Sequence, residues 1–193
     1  AIRGGGFGLG TPVISGSTFS FDATGEAEEL NEGQTANALF QIEATDSAGA
    51  TVRGDVTVTV TGANDAPTLA GASATAEEDG AAVEIDLAAL ADDADAEDDG
   101  STLTYALVAV PGEGSASISG GTLSFDPGAG FQDLGEGESR DVTLTVSATD
   151  ARGAETTAEF TITVAGADDL ATPLDDAASV DEDATVTGDV TAN

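Results

Sequence analysis

Sliding this sequence along itself by 104 positions brings two stretches into register without a gap. Val56-Thr57-Val58-Thr59-Val60 falls on Phe160-Thr161-Ile162-Thr163-Val164, Ala44-Thr45-Asp46 on Ala148-Thr149-Asp150, and Ser20-Phe21-Asp22 on Ser124-Phe125-Asp126. Gly62-Ala63-Asn64-Asp65 falls on Gly166-Ala167-Asp168-Asp169, and Glu78-Asp79 on Glu182-Asp183. Roughly a third of the aligned positions are identical, and many others exchange one strand-forming residue for another, as repeated units with a common core do. A repeat of this length constrains the fold more than any motif. It divides the chain into the closing part of one unit (1–64), one complete unit (65–168) and the opening part of a third (169–193).

A unit of about a hundred residues is the usual size of a β-sandwich, and the local pattern agrees. Val83, Ile85 and Leu87 alternate with Glu84 and Asp86. Val142, Leu144, Val146 and Ala148 form one inward stripe, and Phe160, Ile162 and Val164 the next. Pro111-Gly112, Gly120-Gly121, Pro127-Gly128 and Arg152-Gly153 punctuate the runs, and residues 38–45 and 52–61 read as a hairpin across Ser47-Ala48-Gly49. No stretch sustains a 3.6-residue apolar period. The expected class is all-β: tandem antiparallel sandwiches with Greek-key connections.

The net charge of -33, carried by 37 acids against four basic residues, decides which partners suit the chain. So few cations cannot track a phosphate backbone, so nucleic acid is excluded as a partner, and an anionic membrane surface is equally unsuited. No apolar run reaches the length of a membrane span. With no Cys and no His, thiolate and imidazole metal sites are excluded, and oxygen ligands remain. An enzyme is disfavoured: the lack of Trp, His and Cys, with a single Tyr, removes sugar-stacking platforms and most acid–base variety.

The acids are not spread evenly. Asp92, Asp93, Asp95, Glu97, Asp98 and Asp99 crowd one loop ahead of Gly100. Hard divalent cations take six to eight oxygens, and Asp alternating with backbone carbonyls suits calcium better than the stricter magnesium. The strand expected over 141–149 is about 30 Å long at ~3.3 Å per residue, so Glu136 and Glu138 before it and Asp150 after it belong to opposite ends of the unit. Asp98, Asp99, Glu26, Glu28 and Glu155 read as surface charge.

Asp93-Ala94-Asp95 leading to Leu103 and Tyr105, Ala148-Thr149-Asp150 with Gly153, and the joint Asn64-Asp65-Ala66-Pro67 together resemble the cadherin pattern. The match is similar in detail to the bacterial cadherin-like and VCBS-type tandem repeats of large type-I-secreted, RTX-like adhesins. It covers essentially the whole chain, though the second joint, Asp168-Asp169-Leu170-Ala171, lacks the Ala-Pro ending. The resemblance implies calcium at each joint. The first joint would draw on Glu32, Asn64, Asp65, Asp93, Asp95 and Asp150. The second would draw on Glu78, Asp168 and Asp169 with Glu136 and Glu138, either of which can serve, and Asp46 would stand at the upper end of the leading unit.

The function this implies is a calcium-rigidified structural repeat of a long extracellular adhesin or fibre, an extender and cell-surface or biofilm adhesion scaffold whose partners are neighbouring repeats of the same protein. The location is the bacterial surface or the secreted fraction. The alternative is a self-assembling filament or S-layer subunit with homotypic contacts. There, residues 180–190 of one chain would complete the leading unit of the next by strand complementation.

Overall fold

The structure, a computed structural model, describes residues 1–3, 8–169, 181–183, 185 and 187. Among the described residues, the leading part holds β1 (Ile2–Arg3), β2 (Thr11–Ser15), β3 (Thr18–Asp22), β4 (Thr35–Thr45) and β5 (Thr51–Thr61). After the joint come β6 (Thr68–Leu69), β7 (Ser73–Glu77), β8 (Val83–Asp86), β9 (Ala91–Asp92), β10 (Thr104–Ala109), β11 (Ser115–Ser119), β12 (Thr122–Asp126), β13 (Ser139–Thr149) and β14 (Glu155–Ala165). The one helical element among them is a 3-10 turn at Gly128–Phe131. The expected pairing of residues 180–190 falls largely outside the described residues.

The repeat is visible strand by strand. Shifted by 104, β2 and β3 land on β11 and β12, and β4 and β5 on β13 and β14, with the same boundaries. The hairpins keep register too: Thr35 pairs with Thr61 and Thr45 with Thr51, as Ser139 pairs with Ala165 and Thr149 with Glu155. The second unit is a two-sheet sandwich. One sheet has the order β10-β13-β14-β7, with β7 parallel to β14; the facing sheet is β11-β12-β8.

Alternation explains the core. Every second residue of β13 and β14 points between the sheets, so Leu144, Val146, Phe160, Ile162 and Val164 are fully buried against Leu123 and Phe125 of β12. Fully burying side chains of this size contributes roughly 1.5–3 kcal/mol each. The 3-10 turn adds Phe131, which meets Phe125 edge-on at 6.4 Å and lies under the Arg140 guanidinium at 5.7 Å. In the leading part the same positions build a smaller cluster: Phe40 is buried between Phe19 and Phe21, at 5.7 and 5.6 Å.

Two glycines set the geometry of the joints. A Cβ on Gly62 would collide with the backbone carbonyls of Leu30 and Asn31, and one on Gly166 with Gly135 and Leu134. The Gly62 N–H donates to the Gln34 carbonyl at 2.8 Å and the Gly166 N–H to that of Glu138 at 2.9 Å, one contact made twice at the repeat spacing. Only glycine permits so close a backbone approach. Each joint therefore leaves its sheet against the loop that precedes the long hairpin.

Candidate functional site

Strands β6 and β9 are short, yet they decide where the acidic loop sits. Their antiparallel register pairs Thr68 with Asp92 and Leu69 with Ala91. Carried outward past the strand ends, that register sets Asp65 opposite Asp95, and there the Asp65 backbone N–H donates to Asp95 Oδ2 at 3.0 Å. Asp93 Oδ1 accepts from the Asp95 N–H at 2.9 Å, so the Asp-x-Asp stretch is folded on itself as well as held to the joint. Tyr105 closes the far side of the loop by donating to the Gly100 carbonyl at 2.6 Å.

The third wall comes from the end of β13. Asp150 Oδ1 accepts the backbone N–H groups of Arg152, Gly153 and Ala154 at 2.8, 2.6 and 2.9 Å. Its Oδ2 accepts from Asn64 Nδ2 at 2.8 Å, and the same Nδ2 donates to the Asp65 carbonyl. An acceptor-only carboxylate requires the amide nitrogen on that side, which turns Asn64 Oδ1 away from Asp150. Burial alone would raise the Asp150 carboxyl, but the donors from Asn64 and the turn outweigh it and hold it below the ordinary 3.8.

What remains is a set of buried oxygens with no donor. Asp95 is 1% exposed, Asp150 5% and Asp98 7%. Asn64 Oδ1, Asp93 Oδ2, Asp95 Oδ1 and Asp98 Oδ2 are buried and accept no hydrogen bond. A buried acceptor left unpaired costs about 1–3 kcal/mol, more when charged, and here four of them share one joint. Burial pushes the Asp93 carboxyl above 3.8, and the charges of Asp95, Asp98 and Asp150 push it further, against the opposing Asp95 N–H. Among the described residues no three acidic side chains sit at metal-ligating separation. The donor chemistry of Asn64 Oδ1, Asp93 Oδ2 and Asp95 Oδ1 nevertheless suits a hard cation such as calcium: neutral and anionic oxygens, buried, and unclaimed by any protein donor.

Glu32 approaches this joint from the leading part, but its exposed carboxylate meets Arg152 Nε at 3.3 Å rather than Asp93 or Asp95. Arg152 also pairs with Glu97 through Nη2, and its Nη1 lies 3.7 Å from Asp98 Oδ2. The Glu97 N–H donates to Asn31 Oδ1 at 3.2 Å, a second contact across the joint. Asp98 is thus a correction: it read as surface charge, and the loop closure of residues 98–103 buries it. Asn31 and Arg152 were not singled out either. The one signal for Arg152 was its rarity, a basic residue in so acidic a chain.

The other end of the sandwich is built differently. Glu78 is 2% exposed; its Oε1 accepts the Ala167 N–H at 2.6 Å, and its Oε2 is buried without a donor. Glu136, Glu138, Asp168 and Asp169 are exposed, and Glu138 turns back to accept the Gly135 N–H at 3.0 Å. The structure brings Glu78 to the second joint and leaves the other four in solvent. Asp46 is exposed as well, and accepts the N–H groups of Ala48 and Ala50 in its own turn.

A family model described as bacterial Ig domain matches residues 64–163. Among solved structures the chain is similar to protocadherin gamma B7 extracellular cadherin domains 1–4, with a TM-score of 0.50 and 13% identity, covering 86% of this chain and 41% of that one. It is also similar to mouse cadherin-23 EC22–24, with a TM-score of 0.45, 18% identity, and 86% and 53% covered. A third structure is an endo-fucoidan hydrolase of glycoside hydrolase family 107, at 0.38 and 16%, with 86% and 23% covered. The last two likenesses are too loose to support argument, and the first shows the fold alone. The chain spans well under two thirds of the protocadherin structure. No curated protein matches it. Among the described residues no helix is long and apolar enough to cross a membrane.

Proposed function

The chain belongs to the bacterial Ig domain family, and from that premise we propose that it is a calcium-rigidified structural repeat of a long extracellular protein, an adhesin or fibre on the bacterial surface. In this reading residues 1–64, 65–168 and 169–193 are parts of three successive repeats. The finer assignment, a VCBS-type extender of a type-I-secreted adhesin with a role in biofilm attachment, follows the joint motif Asn64-Asp65-Ala66-Pro67 and the acidic loop. The partners are neighbouring repeats, and the role is mechanical rather than catalytic.

One observation supports the proposal: Asn64 Oδ1, Asp93 Oδ2 and Asp95 Oδ1 are buried without a donor on the joint and on the loop that the joint is hydrogen-bonded to. Asn64 and Asp65 come from the joint, Asp93, Asp95 and Asp98 from the loop after β9, and Asp150 from the end of β13. When bound, calcium supplies the charge and the coordination that this set lacks. The chain's own part is to hold the donors: β6–β9 pairing fixes the loop, the β13–β14 turn fixes Asp150, and Gly62 fixes the angle at which the joint leaves β5. Binding to the folded form alone stabilises it by linkage. A second ion at the lower joint would rest on Glu78, Asp168 and Asp169 with either Glu136 or Glu138.

The test is thermal unfolding in calcium, magnesium and sodium at matched ionic strength. Calcium should raise the midpoint most, at millimolar concentration or below. Equal gains from all three salts would reduce the site to charge screening and remove the reading.

The filament alternative has its own observation. β14 pairs in parallel with β7, whereas the equivalent edge of β5 has no strand partner among the described residues. An open edge is a template for strand addition. In that reading residues 180–190 of a second chain would add to the leading unit at β5. Monomers at high concentration by sedimentation would count against it.

A further inference from the structure

Arg152 sits where the acidic joint is densest. Of the other basic residues, Arg53 pairs with Glu43 near the start of β5 and Arg140 with Glu113 and Asp133 near the start of β13, each at the end of its strand away from the joint. Arg152 instead spreads its guanidinium over carboxylates from both sides: Nε on Glu32 at 3.3 Å, Nη2 on Glu97, and Nη1 3.7 Å from Asp98 Oδ2. Glu32 precedes β4; Glu97 and Asp98 follow β9. Its side chain is 26% exposed, and hydrogen bonding to Glu97 holds it firmly in the charged form. A planar fork with fixed charge suits this geometry better than any other side chain.

The turn that carries Arg152 does not require it. At the repeat spacing the residue is Ala48, and there Asp46 Oδ1 accepts the Ala48 and Ala50 N–H groups at 2.9 and 2.8 Å. The Asp46 N–H closes on the Ala50 carbonyl at 2.9 Å, as Asp150 closes on Ala154 at 3.1 Å. One turn is built twice, and of the two copies the one at the described joint bears the cation.

We propose that Arg152 is a resident counter-ion that latches the joint, tying Glu32 of the leading part to Glu97 and Asp98 of the next and holding the two together when divalent cation is scarce. The latch acts on the same joint as the calcium reading but does not rest on it. It also leaves Asn64 Oδ1, Asp93 Oδ2 and Asp95 Oδ1 to the ion.

The chain has no cysteine, so spin labels on cysteines introduced at the exposed Thr57 and Thr157 report the spread of distances across the joint by pulsed electron resonance. In chelator, Arg152→Ala and Glu32→Gln should each raise the open population by a few-fold, on the order of two to five. The double variant should go no further than either, because the two residues form one contact. The wild-type distribution should broaden as salt rises. Distributions unchanged by either variant, or effects that add as if independent, overturn the latch. Arg152→Ala copies the turn at Ala48 and Glu32 is exposed, so both variants fold. A wild-type distribution indifferent to calcium, with the chelator contrast intact, removes the calcium reading and keeps the latch.

Discussion

The two ends of the β6–β14 sandwich carry comparable acid but differ in what covers it. At the upper end Asp95, Asp98 and Asp150 are buried, Asp93 is half-buried, and Asn64 Oδ1, Asp93 Oδ2 and Asp95 Oδ1 have no donor. At the lower end, among the described residues, a single carboxylate, Glu78, is buried and Glu136, Glu138, Asp168 and Asp169 are exposed; residues 170–180, which follow this joint, lie outside the described residues. Charge density alone does not distinguish these ends; desolvation does. A carboxylate in water already has its hydration, whereas one buried without a donor gains most from a cation.

The contrast breaks most easily with calcium itself. At a hundredfold excess over Kd, one site that binds only the folded form adds about 2.7 kcal/mol, a midpoint shift on the order of 10 °C for a unit of this size. Calorimetry should show that Asp93→Asn with Asp95→Asn removes this gain, while Glu136→Gln with Glu138→Gln keeps it. Retention in the first pair would move the site elsewhere.

The twin turns sharpen the comparison at single-atom level. In Asp150→Asn, the side-chain oxygen can still take the turn's N–H groups, but the new amide then faces the Asn64 amide, donor against donor. The expected cost is about 1–3 kcal/mol. Asp46→Asn makes the same exchange in an exposed turn with no facing amide, and should stay within ~0.5 kcal/mol. Denaturant titration of the two variants separates the effect of burial from that of the turn.

A smaller effect has a sign that depends on the ion. Because burial raises the Asp93 carboxyl above 3.8, the folded state binds protons more readily than the unfolded state there, and the ionised form works against folding. Stability from this group therefore rises as pH falls from above its raised value towards 3.8. In chelator at neutral pH, Asp93→Asn should unfold slightly later than the wild type, and the advantage should shrink on acidification. In calcium the order should reverse. Melting curves across pH, with and without chelator, check both halves.

Much of this molecule is written in its repeat. The hairpins β4–β5 and β13–β14 and their inward stripes follow from local alternation, and the approach of Asn64 and Asp65 to the acidic loop from the resemblance to the cadherin pattern. Phe131 was not legible, because a 3-10 turn through Gly128–Phe131 has too short a period to announce itself. Asp98 reads as surface charge since nothing local says that Thr102 and Tyr105 will fold the loop over it. Glu32 lands on Arg152 instead of the Asp-x-Asp stretch for a related reason: the joint brings together a loop and a turn 120 residues apart, and their pairing is decided by the closed geometry.

The claim that burial selects the cation site is tested most directly by carboxylate carbon resonances during calcium titration of the isotope-labelled chain. The Cγ signals of Asp93 and Asp95 should shift together and saturate at one calcium concentration, while the side-chain carboxyls of Glu136 and Glu138 move little over the same range. Shifts spread evenly over exposed and buried carboxylates, with no common endpoint, would contradict it.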